Sequence, residues 1–169
     1  VDVNIVGTHN LLEAALKNRV SKFIHTSTSE VYGSAQFTPM TEKHPCVAQS
    51  PYSASKIAAD ALVTSYNKSF NLNTLILRPF NTFGPRQSGR AIIPTIIQQA
   101  INGSKINLGS IKPKRDFTYV DDVVAAFELA LKSNLYFKGE ILNLGTGHSY
   151  SILQIIKYIS KILDKKLKI

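Results

Sequence analysis

Tyr52 and Lys56 are the first pair in this 169-residue sequence whose spacing points to chemistry. Side chains four apart on a helix share one face, a turn apart. A free phenol, with a pKa of about 10, is a poor base at neutral pH, but a neighbouring ammonium favours its phenolate. The pair is therefore a candidate general acid/base unit. A lysine-rich chain with seven tyrosines also yields such a spacing by chance, so the pair needs company. Ser27-Thr28-Ser29-Glu30 offers three hydroxyls and a carboxylate that could bind and protonate a sugar, or else a merely polar strand exit. Arg78-Pro79-Phe80-Asn81 carries an amide beyond a second strand. Arg115, ahead of an amphipathic stretch, can clamp a diphosphate through paired hydrogen bonds, or form a surface ion pair with Asp116 or another acid.

These groups must be held by elements, and the periodicity supplies them. Apolar residues at helical spacing predict a helix over 3–17, and the β-rich run 22–28 predicts a strand. Residues 34–50, with Pro39 and Pro45, read as a loop. Pro51 opens a long Ala-rich helix to about Phe70. A second strand over 73–78 ends at Pro79, and a loop over 84–90 leads to a helix over 92–101. A short strand over 105–108, a helix over 120–132 capped by Asp121 or Asp122, a strand over 140–144 and a helix over 151–163 complete the pattern. Helices alternating with short apolar strands predict an α/β layer fold with a parallel sheet, so Thr28 and Glu30 leave the first strand at the end that faces a ligand crevice.

Composition narrows the class. Apolar content of 44% and charged content of 18% are ordinary for a globular domain. One cysteine, Cys46, excludes an internal disulfide and suits a reducing cytoplasm. No apolar run is long enough to span a bilayer. The net charge of +9 points to acidic partners. A nucleic-acid binder is disfavoured, because no aromatic residues interleave with a basic stripe. Lys157, Lys161, Lys165 and Lys168 read as one solvated helix face. His9, His25, His44 and His148 lack metal-ligand spacing, so no metal is expected. Gly145-Thr146-Gly147 has no third glycine of a dinucleotide turn and reads as a strand exit.

Taken in order, Ser27-Thr28-Ser29-Glu30-Val31-Tyr32-Gly33, Ser50-Pro51-Tyr52-Ser53-Ala54-Ser55-Lys56, Arg78-Pro79-Phe80-Asn81-x-x-Gly84-Pro85 and Arg115-Asp116-Phe117-x-Tyr119-Val120-x-Asp122 resemble the extended short-chain dehydrogenases of the NAD-dependent epimerase/dehydratase family. The match covers nearly the whole chain, and the ordered set is far more specific than any one motif. The opening Asn4-x-x-Gly7-Thr8-x-Asn10-Leu11-Leu12 looks like the family's helix before the catalytic strand.

The resemblance implies part of a Rossmann-type doubly wound parallel sheet, without its N-terminal glycine-rich half, plus part of a small C-terminal substrate-binding domain. Residues 1–84 would be the second part of the NAD-binding domain. Residues 85–169 would interleave substrate-binding segments with its last strand and helix. On this reading the chain is a fragment, expected to be inactive alone and not to bind NAD tightly. The full protein is expected to be a cytoplasmic homodimer using NAD and a nucleotide-sugar substrate, with no membrane or nucleic-acid partner.

Family members share an opening step in which tyrosine takes a hydroxyl proton as hydride passes to NAD, giving a 4-keto sugar. The resemblance casts Tyr52 as that base and Lys56 as its tuner and ribose contact, with Thr26 and Pro79 also at the cofactor. Thr28 would bind O4, Glu30 would take the C5 proton and Ser29 would touch substrate. Asn81, Arg90, Arg115 and Asn143 would hold the nucleotide diphosphate. Simple epimerases tend to lack a carboxylate at the Glu30 position, and UDP-glucuronate decarboxylases usually carry Tyr-Asp-Glu-x-Lys where this chain has Tyr52-Ser53-Ala54-Ser55-Lys56. Both points favour a 4,6-dehydratase. Glucose-type dehydratases have Asp before the Glu; Ser29 departs from them. Gly84 to Pro94 and Leu108-Gly109-Ser110 look most like N-acetylglucosamine 4,6-dehydratases of nonulosonic acid pathways. Epimerase, decarboxylase and non-catalytic relative stay open as alternatives.

Overall fold

A computed structural model describes residues Val1–Ile169, which divide into two compact units. The first comprises Val1–Phe80 and Asp122–Leu144; the second comprises Asn81–Asp121 and Gly145–Ile169.

The first unit is built on three parallel strands, β1 (Phe23–Thr26), β2 (Thr74–Pro79) and β6 (Glu140–Leu144), in the order β1-β2-β6. Thr26 lies opposite Leu77, and Arg78 opposite Asn143. The central strand β2 is buried from Thr74 to Arg78, as a parallel strand covered on both faces must be. Its side chains alternate between two cores. Ile76 packs with Leu12 and Ala15 of helix α1 (Gly7–Lys17) and Val63 and Tyr66 of helix α2 (Pro51–Phe70). Leu75 and Leu77 pack with Ala130 of helix α4 (Val120–Lys132) and with Phe137. Helix α2 starts where Ser50 and Ser53 form a reciprocal capping box around Pro51, and stops at Asn71, whose φ of 55° is left-handed.

Lys22 closes the far end of α4. Its ammonium donates to the carbonyls of Ala130 (2.7 Å), Leu131 (3.1 Å) and Ser133 (2.6 Å), satisfying acceptors that a helix C-terminus leaves open. Lys22→Ala is expected to cost about 1–2 kcal/mol, seen as a lower urea midpoint with an unchanged slope.

In the second unit, strands β3 (Asn81–Phe83) and β5 (Phe117–Tyr119) pair in parallel, and β4 (Lys114–Arg115) pairs antiparallel with β7 (Tyr150–Ser151). Helices α3 (Ile92–Asn102) and α5 (Ile152–Ile162) bury Ile96, Ala100, Ile152, Ile156 and Ile159 around Ile106 and Phe117. Most of the chain's excess of basic residues falls in this unit.

Several expectations are corrected. The first helix opens with a π-helical turn, Asp2–Val6. Residues 105–108 form no strand, only a single bridge from Lys105 to Lys168. Asp121 and Asp122 lie inside the first turn of α4, not at its cap. The lysine row is broken as well. Helix α5 ends at Ile162, Asp164 turns left-handed at φ 46°, and Lys165 donates to the Ala100 carbonyl at 2.7 Å. Only Lys157 and Lys161 ride on the helix.

Candidate active site

The capping box at Ser50 fixes where α2 begins, and so fixes Tyr52 in its first turn. The Tyr52 side chain is 47% exposed. Lys56 follows one turn later, half-buried, and its ammonium donates to the Thr26 carbonyl at 2.6 Å, tying α2 to the C-terminal end of β1. Beyond that end the chain is extended at Thr28 and then turns through a 3₁₀ segment, Ser29–Tyr32. The Thr28 hydroxyl caps this turn, accepting from the Glu30 N–H at 3.2 Å. Gly33 closes it at φ 66°, where a Cβ would lie 2.5 Å from the Val47 carbonyl oxygen; this position accepts only glycine.

Electrostatics shows which of these groups sense one another. Burial pushes the Tyr52 phenol above its ordinary pKa, the Glu30 carboxylate pushes it further, and a hydrogen bond with Thr28 pulls it back. Tyr52, Thr28 and Glu30 thus share one patch. Burial lowers the Lys56 pKa, and the charge of Asp60 partly restores it. The expectation that Lys56 lowers the Tyr52 pKa is not met in this structure: the ammonium reaches back to the Thr26 carbonyl, and Glu30 dominates the charge felt by the phenol. Two clefts, one beside Gln98, Gln99 and Asn107 and one beside Cys46, Asp60 and Lys68, are lined by none of the patch residues.

Under the patch lies a polar chain that sequence reasoning missed. Asp60, 5% exposed, accepts from Ser27 Oγ at 2.9 Å and from Arg78 Nε and Nη2 at 3.1 and 2.9 Å, with His25 Nε2 at 3.5 Å. Arg78 Nη1 donates to the Tyr32 hydroxyl at 2.9 Å, and that hydroxyl donates to Asn143 Oδ1 at 2.7 Å. Asn143 Nδ2 donates to the Met40 carbonyl at 3.1 Å. Both halves of the Asn143 amide are used internally, so its side chain is a strut and not the free ligand-binding group that was expected. The available signal was Asp60, an acid one turn beyond Lys56 on the same helix.

Burial pushes the Asp60 carboxyl up, but the nearby His25 ring, the Ser27 hydrogen bond and the charge and hydrogen bonds of Arg78 outweigh it and hold it below the usual carboxylate value. A folded pKa below the unfolded one, about 3.9, contributes stability above that pH and loses it as pH falls through the folded value. Asp60→Asn is expected to cost about 3 kcal/mol, because Arg78 is left buried without its counter-charge. Urea unfolding across pH 7 to 3 should show the variant's deficit shrinking on the acid side.

In the second unit, Asn81 lies opposite Phe117 and its N–H donates to the Asp116 carbonyl at 3.1 Å, whereas Arg115 lies in the separate β4–β7 pair, opposite Tyr150. Arg115 is exposed and donates to the Lys114 carbonyl, not to Asp116. The Asp116 carboxylate accepts instead from the Thr146 N–H and hydroxyl and the Gly147 N–H, pinning the Gly145–Gly147 turn. Arg90 is exposed in the loop before α3.

A hydroxyl, a carboxylate and a tyrosine at a parallel strand's exit, with a lysine one helical turn away, form a candidate acid/base site on an α/β scaffold. Comparison with known proteins gives this scaffold its family. The family model for GDP-mannose 4,6 dehydratase matches residues 1–169. The chain belongs to the GDP-mannose 4,6 dehydratase family. The low-salt glycan biosynthesis protein of Haloferax volcanii is 40% identical over 94% of this chain and 51% of its own length. Among solved structures, dTDP-glucose 4,6-dehydratase of Bacillus anthracis in complex with NAD is 33% identical at a TM-score of 0.90, covering 97% of this chain and 53% of that one. UDP-glucuronic acid 4-epimerase of Bacillus cereus in complex with UDP-glucuronic acid and NAD is 35% identical at 0.90, covering 98% and 52%. This family member thus spans about half the length of the relatives it matches. Both a dehydratase and an epimerase share this fold, so the fold alone does not fix the reaction. No helix of the chain is long and apolar enough to cross a membrane.

Proposed function

We propose that the protein is an NAD-dependent nucleotide-sugar 4,6-dehydratase. The observation that carries this reading is the carboxylate of Glu30 in the same patch as Tyr52 and Thr28. Oxidation at C4 needs only a base for the hydroxyl proton. Dehydration needs a second base, because the C5 proton must leave as the C6 hydroxyl departs.

Lys56 spends one of its donors on Thr26 and has two left, a set that fits the vicinal hydroxyls of a nicotinamide ribose. NAD held there would supply the hydride acceptor for C4 and the hydride donor for C6, with a solvent proton completing C5. The protein's own groups do the rest. Tyr52 takes the O4 proton while Thr28 hydrogen-bonds that oxygen. Glu30 then removes the C5 proton, made acidic by the 4-keto group. Ser29 is a poor acid, so Glu30 also delivers a proton to O6, which leaves as water. Ser29 serves as a substrate contact, and Thr26 and Pro79 line the nicotinamide side. Asn81, Arg90 and Arg115 are assigned to the nucleotide diphosphate, where guanidinium groups pair well with phosphate oxygens.

An N-acetylglucosamine nucleotide is the proposed substrate, on the likeness of residues 84–94 and 108–110 to that subfamily, and the full protein is proposed to be a homodimer. The deciding assay supplies NAD and a panel of nucleotide sugars, including dTDP-glucose and UDP-N-acetylglucosamine, to the full-length protein. A 4-keto-6-deoxy product supports the reading. A 4-epimer, or carbon dioxide from a glucuronate, overturns it.

A further inference from the structure

We infer that Tyr32 is a positioning residue for Glu30: its buried hydroxyl locks the turn that carries the carboxylate, and so serves the elimination step more than the oxidation step. The inference rests on the dehydratase reading and adds a residue to it.

Tyr32 is the last residue of the turn that Glu30 occupies, and it is fully buried. Its ring has the Arg78 guanidinium 4.9 Å from its centre and the His44 ring edge-on at 5.5 Å. Its hydroxyl is fully engaged, receiving from Arg78 and donating to Asn143. Through these two bonds the short turn is fixed to β2 and β6, the two strands that do not carry it. Without them, Glu30 is exposed and its side chain makes no hydrogen bond or ion pair of its own. The turn's backbone is also tied, by the Glu30 N–H to the Thr28 hydroxyl and by the Val47 N–H to the Val31 carbonyl, but the Tyr32 hydroxyl is what links it to side chains of β2 and β6.

Thr28 is held differently. Next to it, the Ser27 N–H donates to the Leu77 carbonyl at 2.7 Å and the Ser27 hydroxyl donates to Asp60. Tyr52 is fixed by the helix cap. Thr28 and Tyr52 therefore have supports that do not pass through the Tyr32 hydroxyl, the Ser27 bonds and the helix cap, although Arg78 reaches both Asp60 and Tyr32 and Thr28 caps the Glu30 N–H. Loosening the Tyr32 strut should move Glu30 while Thr28 and Tyr52 stay in place.

The test uses the full-length protein with NAD and the substrate found in the panel, in deuterium oxide. Transient reduction of the nicotinamide reports oxidation; 4-keto-6-deoxy product with deuterium at C5 reports elimination. Tyr32→Phe keeps the ring and deletes the hydroxyl. It should slow elimination by about tenfold to a hundredfold, the usual cost of a small misplacement, and change the oxidation rate less than about twofold, so that reduced nicotinamide accumulates. Equal loss of both steps means a merely structural role and overturns the inference, as does unchanged elimination. If Tyr32→Phe does not fold, Asn143→Ala removes the other end of the strut and must show the same split. A wild-type protein that forms no 4-keto-6-deoxy product at all sinks the dehydratase reading, and this inference with it.

Discussion

Replacing Tyr52 by Phe in the full-length protein is expected to lower the rate of nicotinamide reduction by about a thousandfold, within the usual range for loss of a positioned acid/base group. The ring's packing at the start of α2 is preserved, and nearly half of the side chain is exposed, so stability should hardly change. Every later step depends on the 4-keto group, so product formation should fall in parallel. Stopped-flow absorbance of the reduced nicotinamide checks the first point and thermal unfolding the second. Turnover at the parental rate would remove Tyr52 from the mechanism and with it the family's opening step.

Glu30→Gln should separate the two halves of the reaction. Dehydrated product is expected to fall by about a hundredfold or more, while oxidation persists. The oxidation step should also change its pH dependence. The Glu30 carboxylate helps hold the Tyr52 phenol above its ordinary pKa. Glutamine has the same shape without the charge, so the phenol loses one of the influences that raise it. The alkaline rise of the oxidation rate should therefore move to lower pH. A rise that stays put would mean that Glu30 and Tyr52 do not sense each other in the working enzyme. Dehydration at the parental rate would end the role proposed for Glu30.

The larger elements were legible because each has a strong local cause. Strand β2 centres on the apolar run Leu75-Ile76-Leu77 ended by Pro79, and α2 announces itself through Pro51 and its capping serines. The family was legible because the segments around Thr28, Glu30 and Tyr52 form an ordered set of motifs. The buried chain from Asp60 to Asn143 was not, because a buried arginine and tyrosine look in sequence like surface residues until their partners, 18 and 111 positions away, are known. Strands of two or three residues in the second unit carry too few side chains for a period to show. Residues 105–108 have the right alternation but no neighbour beyond Lys168. The lysine row failed because spacing alone does not reveal a left-handed residue such as Asp164.

The first unit is assembled from two stretches of chain, with Asn81–Asp121 leaving and Asp122–Leu144 returning to supply α4 and β6. On the ribosome this has a consequence. Domains form as units while synthesis runs at about 5–20 residues per second. Tyr52, Glu30 and Arg78 are all made well before Asn143, so the acid/base patch waits several seconds, half-formed, for its last strand. During that wait β2 has only β1 beside it, and its other edge offers unpaired backbone groups to any passing strand. The intervening segment therefore sets a delay: lengthening it by insertion prolongs the interval in which the nascent sheet is open to mispairing.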